Sequence, residues 1–226
     1  MAASSDRGGR LASLVDPGST AVLTMELQRG VVGPGGMMPA LAEQVAATGA
    51  IAAAASVCEA ARDAGARVVH CTMGTRPDGA GGSVNCRILG LADRLRREGA
   101  APTESGTEGS RLVPELGEDP RDLVVARWHG LTPFTSTPLD QTLRNLGVTT
   151  VVATGVSVNV GIVGLCLSAV DLGYQVVLVR DAVAGVPAAY AASVIDNTLA
   201  MVATVVTASE LIEAWAASRP ASPSPA

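Results

Sequence analysis

Three short stretches of the chain hold the residue types from which a reaction centre is built. The first is Glu26-Leu27-Gln28-Arg29, which follows the apolar run Ala21-Val22-Leu23. A carboxylate ending such a run is costly to bury unless it is paired or protonated, which makes Glu26 a candidate for proton transfer. The bland alternative is a structural ion pair. The second stretch is Val124-Val125-Ala126-Arg127-Trp128-His129. Arg127 stays charged, so it cannot act as a base, but it can hold a carboxylate or a substrate anion, or simply pair with Glu26. His129 is one of two histidines, the residue type that ordinarily titrates near neutral pH, although a lone histidine after a strand is more often packed. The third stretch is the turn Thr154-Gly155-Val156-Ser157-Val158-Asn159-Val160-Gly161. Its backbone amides are candidates for an anion or oxyanion hole. Arg76, after a second strand, is a candidate for an anionic group of the ligand, and His70 is expected to face the core or a helix.

The elements that must position these residues follow from hydrophobic periodicity. Residues 20–27 read as a strand, 39–64 as one long alanine-rich helix closed by Gly65, and 67–72 as a second strand. A helix over 86–97 and a Gly/Ser/Glu-rich loop over 98–110 lead to a third strand at 123–128. A helix (139–146), strand (149–154), helix (160–172), strand (175–180), helix (188–202), strand (204–207) and helix (210–217) complete the pattern. Six apolar strands alternating with helices imply an α/β fold. The expected form is a three-layer α/β/α sandwich around a six-stranded, mostly parallel, doubly wound sheet, with the ligand crevice at its carboxyl edge. One domain over 20–217 is expected, after an N-terminal extension (1–19) and before a disordered Pro/Ser/Ala tail (218–226).

Composition narrows the function. The 226 residues carry a formal net charge of -5 with no lysine, which argues against a nucleic-acid partner. Apolar residues make up 48% and aromatic ones 2%, so Ala, Val, Leu and Ile must build the core. The four cysteines show no CxxC pair and no metal-ligand spacing, and a reducing, cytoplasmic compartment is expected. Residues 147–170 are uncharged, but β-branched residues and an interrupting Gly155, Ser157 and Asn159 argue for a strand-to-helix turn rather than a membrane span. The glycines after the first strand do not form GxGxxG opening a helix, and a GK[ST] phosphate loop cannot exist without lysine. No cofactor is implied.

An acid followed by Leu-Gln, then Val-Val-Ala-Arg, Pro-Phe-Thr-Ser-Thr-Pro-Leu-Asp, Thr-Gly-Val-Ser-Val-Asn-Val-Gly, Leu-Gly-Tyr-Gln-Val and Arg-Asp-Ala, in that order, resembles the isochorismatase-like hydrolase superfamily over residues 20–215. The resemblance implies the same sandwich, a small-molecule substrate and assembly as a homodimer or homotetramer. It implies a catalytic set at Glu26, Arg127 and Gly161, where amide-cleaving members carry aspartate, lysine and a nucleophilic cysteine. Substrate contacts are implied at Gln28, Arg76, His129, Phe134, Val156, Ser157 and Asn159, with a cis peptide at Val156-Ser157. The metal-binding Asp/His cluster of some members has no counterpart in Met73-Gly74-Thr75-Arg76, and no metal is implied. True isochorismatases also carry glycine at the cysteine position and protonate a vinyl ether instead.

Cys166 does not replace the missing thiol: five residues along a helix put it roughly 140° around and ~7.5 Å along the axis. Glu is one methylene longer than Asp, which moves its carboxyl by ~1.5 Å. Two functions compete, with a cysteine hydrolase using Cys71 or Cys166 a minor third. In one, the chain is a hydrolase, or a lyase or isomerase of specialised metabolism, with Glu26 a general acid whose pKa burial raises and Arg127 orienting it. In the other, Glu26 and Arg127 are locked together in a non-catalytic relative that binds a ligand or partner.

Overall fold

The computed structural model describes residues 2–217; the tail expected to be disordered lies outside the described residues. Six strands form one sheet: β1 (Thr20–Met25), β2 (Arg67–Met73), β3 (Leu123–Arg127), β4 (Thr150–Val156), β5 (Gln175–Ala184) and β6 (Thr204–Val206). Their order is β3-β2-β1-β4-β5-β6 and every neighbouring pair is parallel. A parallel sheet must be covered on both faces, and the strand composition complies: all six residues of β1 and all seven of β4 are buried.

Period-two alternation divides the core into two layers. Val22, Val68, Val152 and Val177 face one layer, with α3 (Pro39–Thr48), α4 (Ala50–Ala64) and α9 (Ala208–Ala217). Leu23, Val69, Ala153 and Leu178 face the other, with α6 (Leu139–Asn145), α7 (Val163–Asp171) and α8 (Ala188–Asn197). The single turn α2 (Arg29–Val32) adds Val31 and Val32 to the first layer, whereas α5 (Arg87–Arg97) contributes no buried residue.

Two expectations change, and the N-terminal segment gains a place. The helix expected over 39–64 is two, because Gly49 adopts a left-handed conformation (φ +69°) and bends the pair by 63°. A single glycine in an alanine-rich run carries little signal for a break. The segment before residue 20, expected to be an N-terminal extension, packs onto the sheet and its helices. Helix α1 (Ala2–Leu14) packs Leu11 and Leu14 against the core, the Thr150 hydroxyl donates to Leu14 O (2.8 Å), and the Trp215 indole donates to Val15 O (2.7 Å). Strand β5 runs on to Ala184, past Arg180 and Asp181, whose charges read as a strand end; both are exposed, and Asp181 accepts the Ala208 N–H (2.8 Å). Among the described residues, no single helix is long and apolar enough to cross a membrane.

His70 faces the core, as expected of it. Its Nδ1 bonds to the Thr24 hydroxyl (2.8 Å) and its Nε2 to Asp122 (3.1 Å), which also takes Arg62 Nη2 (2.7 Å). Burial pushes the imidazole pKa below its ordinary 6.5, against the opposing pull of Asp122. The folded state therefore refuses a proton that the unfolded chain accepts. The stability this imidazole contributes is complete above pH 6.5 and is lost as pH falls from there toward the lower folded value. Urea midpoints between pH 8 and 5 should decline along this course, and the decline should flatten in His70→Gln.

Candidate active site

Strands β1 and β4 are neighbours, but the chain leaves them in opposite directions, toward β2 and toward β5. Such a switch point opens a crevice at the carboxyl ends of the two strands. Glu26 directly follows β1 with φ +53°, a left-handed conformation rare for a non-glycine residue, and its N–H donates to Cys71 O (2.9 Å). The kink turns its side chain off the strand's alternation and onto the wall of the crevice. Arg127 closes β3, in register with Met73 of β2, and its Nη2 donates to Glu26 Oε1. The carboxylate thus has a cation against it, the pairing that the sequence left open. Arg127 is only 6% exposed, and its Nε and Nη1 are buried with no hydrogen-bond partner.

The turn after β4 supplies the third wall. The strand continues through Gly155, expected to end it, where a Cβ would lie 2.2 Å from Met25 O. The Val156-Ser157 peptide is cis. A π-helical turn over Val158–Ile162 then leads into α7. Gly161 is buried in this turn; a Cβ there would lie 2.9 Å from Val156 O and 3.1 Å from Met25 Cε. The methionine side chain occupies the room a side chain at 161 would need. The expected amide cradle is reduced, since the N–H groups of Val160 and Ile162 both donate to Ser157 O (3.1 and 3.0 Å).

Glu26, Arg127, Gly161 and Ser157 share the walls of one cavity of about 40 Å³, completed chiefly by Met37, Met38 and Met73. Beyond it lies a hollow of about 340 Å³ that includes Arg76, Trp128 and His129 in its lining. Met73, Leu89, Arg127 and Gly130 border both. The crevice holds an inner hollow and an outer one with part of their walls in common.

The remaining expected substrate contacts divide. Arg76 borders the outer hollow, but Asp78 binds its Nε and Nη2 (3.0 Å each) and its guanidinium lies 5.6 Å from the Trp128 ring centroid. His129 borders the same hollow, half-buried. Gln28 does not reach the crevice. It is fully buried, donates to Met73 O (2.8 Å) and Ser110 O (3.0 Å), and accepts Met73 N–H (2.8 Å), clipping the end of β2 to a loop. Phe134 is buried against Tyr174, ring centroids 5.9 Å apart, so it belongs to the core. Val156 is also core. Asn159 accepts the Ser157 hydroxyl (2.7 Å) and donates to Val186 O (3.3 Å), tying the turn to the segment after β5. The sequence reading missed Met25 and the methionine and leucine walls. The amphipathic spacing of Ile88 and Leu89 against Arg94, Arg96 and Arg97 was the available signal for the last of these.

The isochorismatase domain profile matches residues 20–210 of this chain. The chain belongs to the isochorismatase family. Among its curated relatives, a ureidoacrylate amidohydrolase from Methylobacterium radiotolerans is 36% identical over 156 residues, 65% of this chain and 59% of the relative, so the chain spans less than two thirds of that protein's length. A ureidoacrylate amidohydrolase from Methylorubrum extorquens is 32% identical over 76% of this chain and 73% of its own length. Among solved structures, an isochorismatase family protein from Desulfovibrio vulgaris superposes with a TM-score of 0.76 at 27% identity, over 88% of this chain and 98% of that one. The six-stranded parallel sheet is the fold of that family.

Thiols elsewhere in this isochorismatase-family chain are poorly placed for attack. Burial pushes Cys58, Cys71 and Cys166 up to about 12 each, leaving almost no thiolate near neutral pH. Iodoacetamide on the native protein should add a single adduct, at the half-buried Cys86, as read by intact mass and peptide mapping. Two or more fast adducts would contradict this placement. Gly161→Ala should destabilise by about 1–3 kcal/mol in urea titrations, because Val156 O is backbone and cannot swing aside.

Proposed function

We propose that this chain hydrolyses a small acidic metabolite by adding water directly, without a covalent enzyme intermediate, with Glu26 transferring the proton and Arg127 orienting it. The observation that carries the reading is the single cavity walled by Glu26, Arg127 and the side-chain-free Gly161. The buried thiols and the methionine beside Gly161 support it, because amide cleavage of the usual covalent kind needs a nucleophile at this wall. The ureidoacrylate amidohydrolases among the relatives suggest a ureido or amide substrate. A vinyl ether fits the present side chains better. Protonation of its terminal carbon makes the neighbouring carbon electrophilic, water adds there and returns a proton to Glu26, and the resulting hemiketal separates into an alcohol and a ketone.

The ion pair sets one requirement on this cycle: Glu26 must exchange its cation for a proton. A substrate anion that engages the other donors of Arg127 supplies the exchange. The competing reading, a non-catalytic relative, draws support from the same pair and from an inner cavity of only about 40 Å³. Cytoplasmic residence, assembly as a homodimer or homotetramer and a place in specialised metabolism belong to the proposal and rest on the family resemblance.

Turnover of vinyl-ether carboxylic acids and of ureidoacrylate, followed by product mass in oxygen-18 water, tests the proposal. Glu26→Gln should lose at least about 100-fold in kcat and Arg127→Lys about tenfold or more. Replacing Cys71 and Cys166 by serine should leave the rate intact. An acyl-enzyme trapped by acid quench, or full activity in Glu26→Gln, would refute the mechanism.

A further inference from the structure

One wall of the two hollows is attached to the molecule differently from the others. From Met73 to Pro102 no residue is buried, although this stretch includes α5 with Ile88, Leu89, Leu91 and Leu95. Its two ends are fastened at one place. Thr75 N–H donates to Thr103 O (3.1 Å) and Ser105 N–H donates to Thr75 O (2.9 Å), so the chain departs and returns through a single clasp. The clasp itself is rigid. Gly74 N–H donates to Arg127 O (2.9 Å), and Gly30 and Gly109 approach Pro102 so closely that a Cβ on either would lie 1.9 or 1.7 Å from its carbonyl oxygen.

Beyond the clasp, residues 76–99 are knit to themselves. Asp78 holds Arg76, Asp93 holds Arg96 and Arg97, and Arg96 Nη1 donates to Pro77 O (3.1 Å). Among the described residues, every side-chain hydrogen bond and ion pair of 76–99 stays inside the segment. What joins it to the body is different in kind. Ile88 and Leu89 meet Met37, Met38 and Leu41 around the inner hollow, Gly81 lies beside the Trp128 ring, and the Arg76 guanidinium stands 5.6 Å from that ring's centroid. Such contacts are non-directional, so the segment can lift as a piece without breaking a hydrogen bond. Gly99 (φ +74°), with open space around it, leaves the return limb free to swing. The inner hollow gives a reason to lift: it measures about 40 Å³, whereas sites for organic ligands run to about 300–1,000 Å³. Its Leu41 and Gly161 walls belong to the packed interior, and its Ile88 and Leu89 wall does not.

We propose that residues 76–99 are a lid hinged at the Thr75 clasp, which lifts as one unit to give access to Glu26 and, when closed, seats Ile88 and Leu89 over the inner hollow. The internal ion pairs keep the lid in one piece while it moves. The apolar contact with Met37, Met38 and Leu41 draws it shut again, because an open lid returns those side chains to water. The inference concerns access to the hollow and stands whatever reaction is carried out there.

The test places a thiol under the lid with Ser157→Cys, in the wall of the inner hollow, and keeps Cys86, at the start of α5 on the lid itself, as internal reference. Labelling by N-ethylmaleimide and by the far larger fluorescein maleimide is followed site by site by peptide mapping. The ratio of small-reagent to large-reagent rate should be at least about tenfold greater at position 157 than at Cys86. Adding Leu89→Ala should narrow that gap severalfold while the urea midpoint barely moves, since Leu89 is not a core residue. In the unaltered chain, hydrogen exchange should be at least about a hundredfold faster for the amides of α5 than for those of β1 and β4. Should Ser157→Cys fail to fold, this exchange measurement decides alone. Equal rate ratios at the two thiols, a gap untouched by Leu89→Ala, or α5 amides as slow as those of the strands would overturn the proposal. So would protection of the new thiol that vanishes on dilution together with a dimer seen by sedimentation, because the cover would then be a second copy of the chain.

Discussion

A guanidinium removed from water and joined by only one N–H group to a carboxylate is the constraint around which the carboxyl edge of this sheet is organised. Glu26 directly follows β1 and Arg127 closes β3, with β2 between them. Two strand spacings amount to about 10 Å, a span that only a long side chain can bridge. The end of β2 must therefore be held where Arg127 can pass it. Gln28 does this by taking both the N–H and the carbonyl of Met73. A residue that looked like a ligand contact is a clip that keeps two charges in reach of each other. Removing either partner of such a pair leaves a charge buried alone, which costs about 3–5 kcal/mol.

The other side of the crevice is governed by volume. Gly161 sits where a Cβ would meet both the Val156 carbonyl and the Met25 side chain. A side chain there must displace the Val156 carbonyl or the Met25 side chain, which belongs to the neighbouring strand β1 and is itself fully buried. With Cys71 and Cys166 both withdrawn into the core, the polar chemistry left at the switch point is that of a carboxylate, a guanidinium and the Ser157 hydroxyl. The last of these is engaged by Asn159.

The two core layers and the crevice cover are built to different standards. Strands β1 and β4, α4 and α7 all contribute residues with no exposed surface. The chain between β2 and β3, by contrast, carries α5 with no buried residue, and this excursion supplies the Leu89 and Arg96 walls of the chambers. Segments with few buried contacts open at low free energy, so this wall of the crevice is more deformable than the core layers.

Periodicity in the chain was enough to place all six strands, their alternation with helices and hence a doubly wound parallel sheet, because burial on both faces forces long apolar runs that are visible without coordinates. The family motifs likewise brought Glu26, Arg127 and the 154–161 turn to one edge. Local pattern could not say that Gly49 breaks an alanine helix, that Phe134 and Val156 point into the core, or that Gln28 is consumed by backbone groups, since each depends on partners distant in sequence. Nor could it reveal Met25 beside Gly161 or the free donors of Arg127. Residue types and their order determined which chemistry was available to this protein; the pairing of side chains across three strands, a matter of distance and packing, decided which groups remain free to perform it.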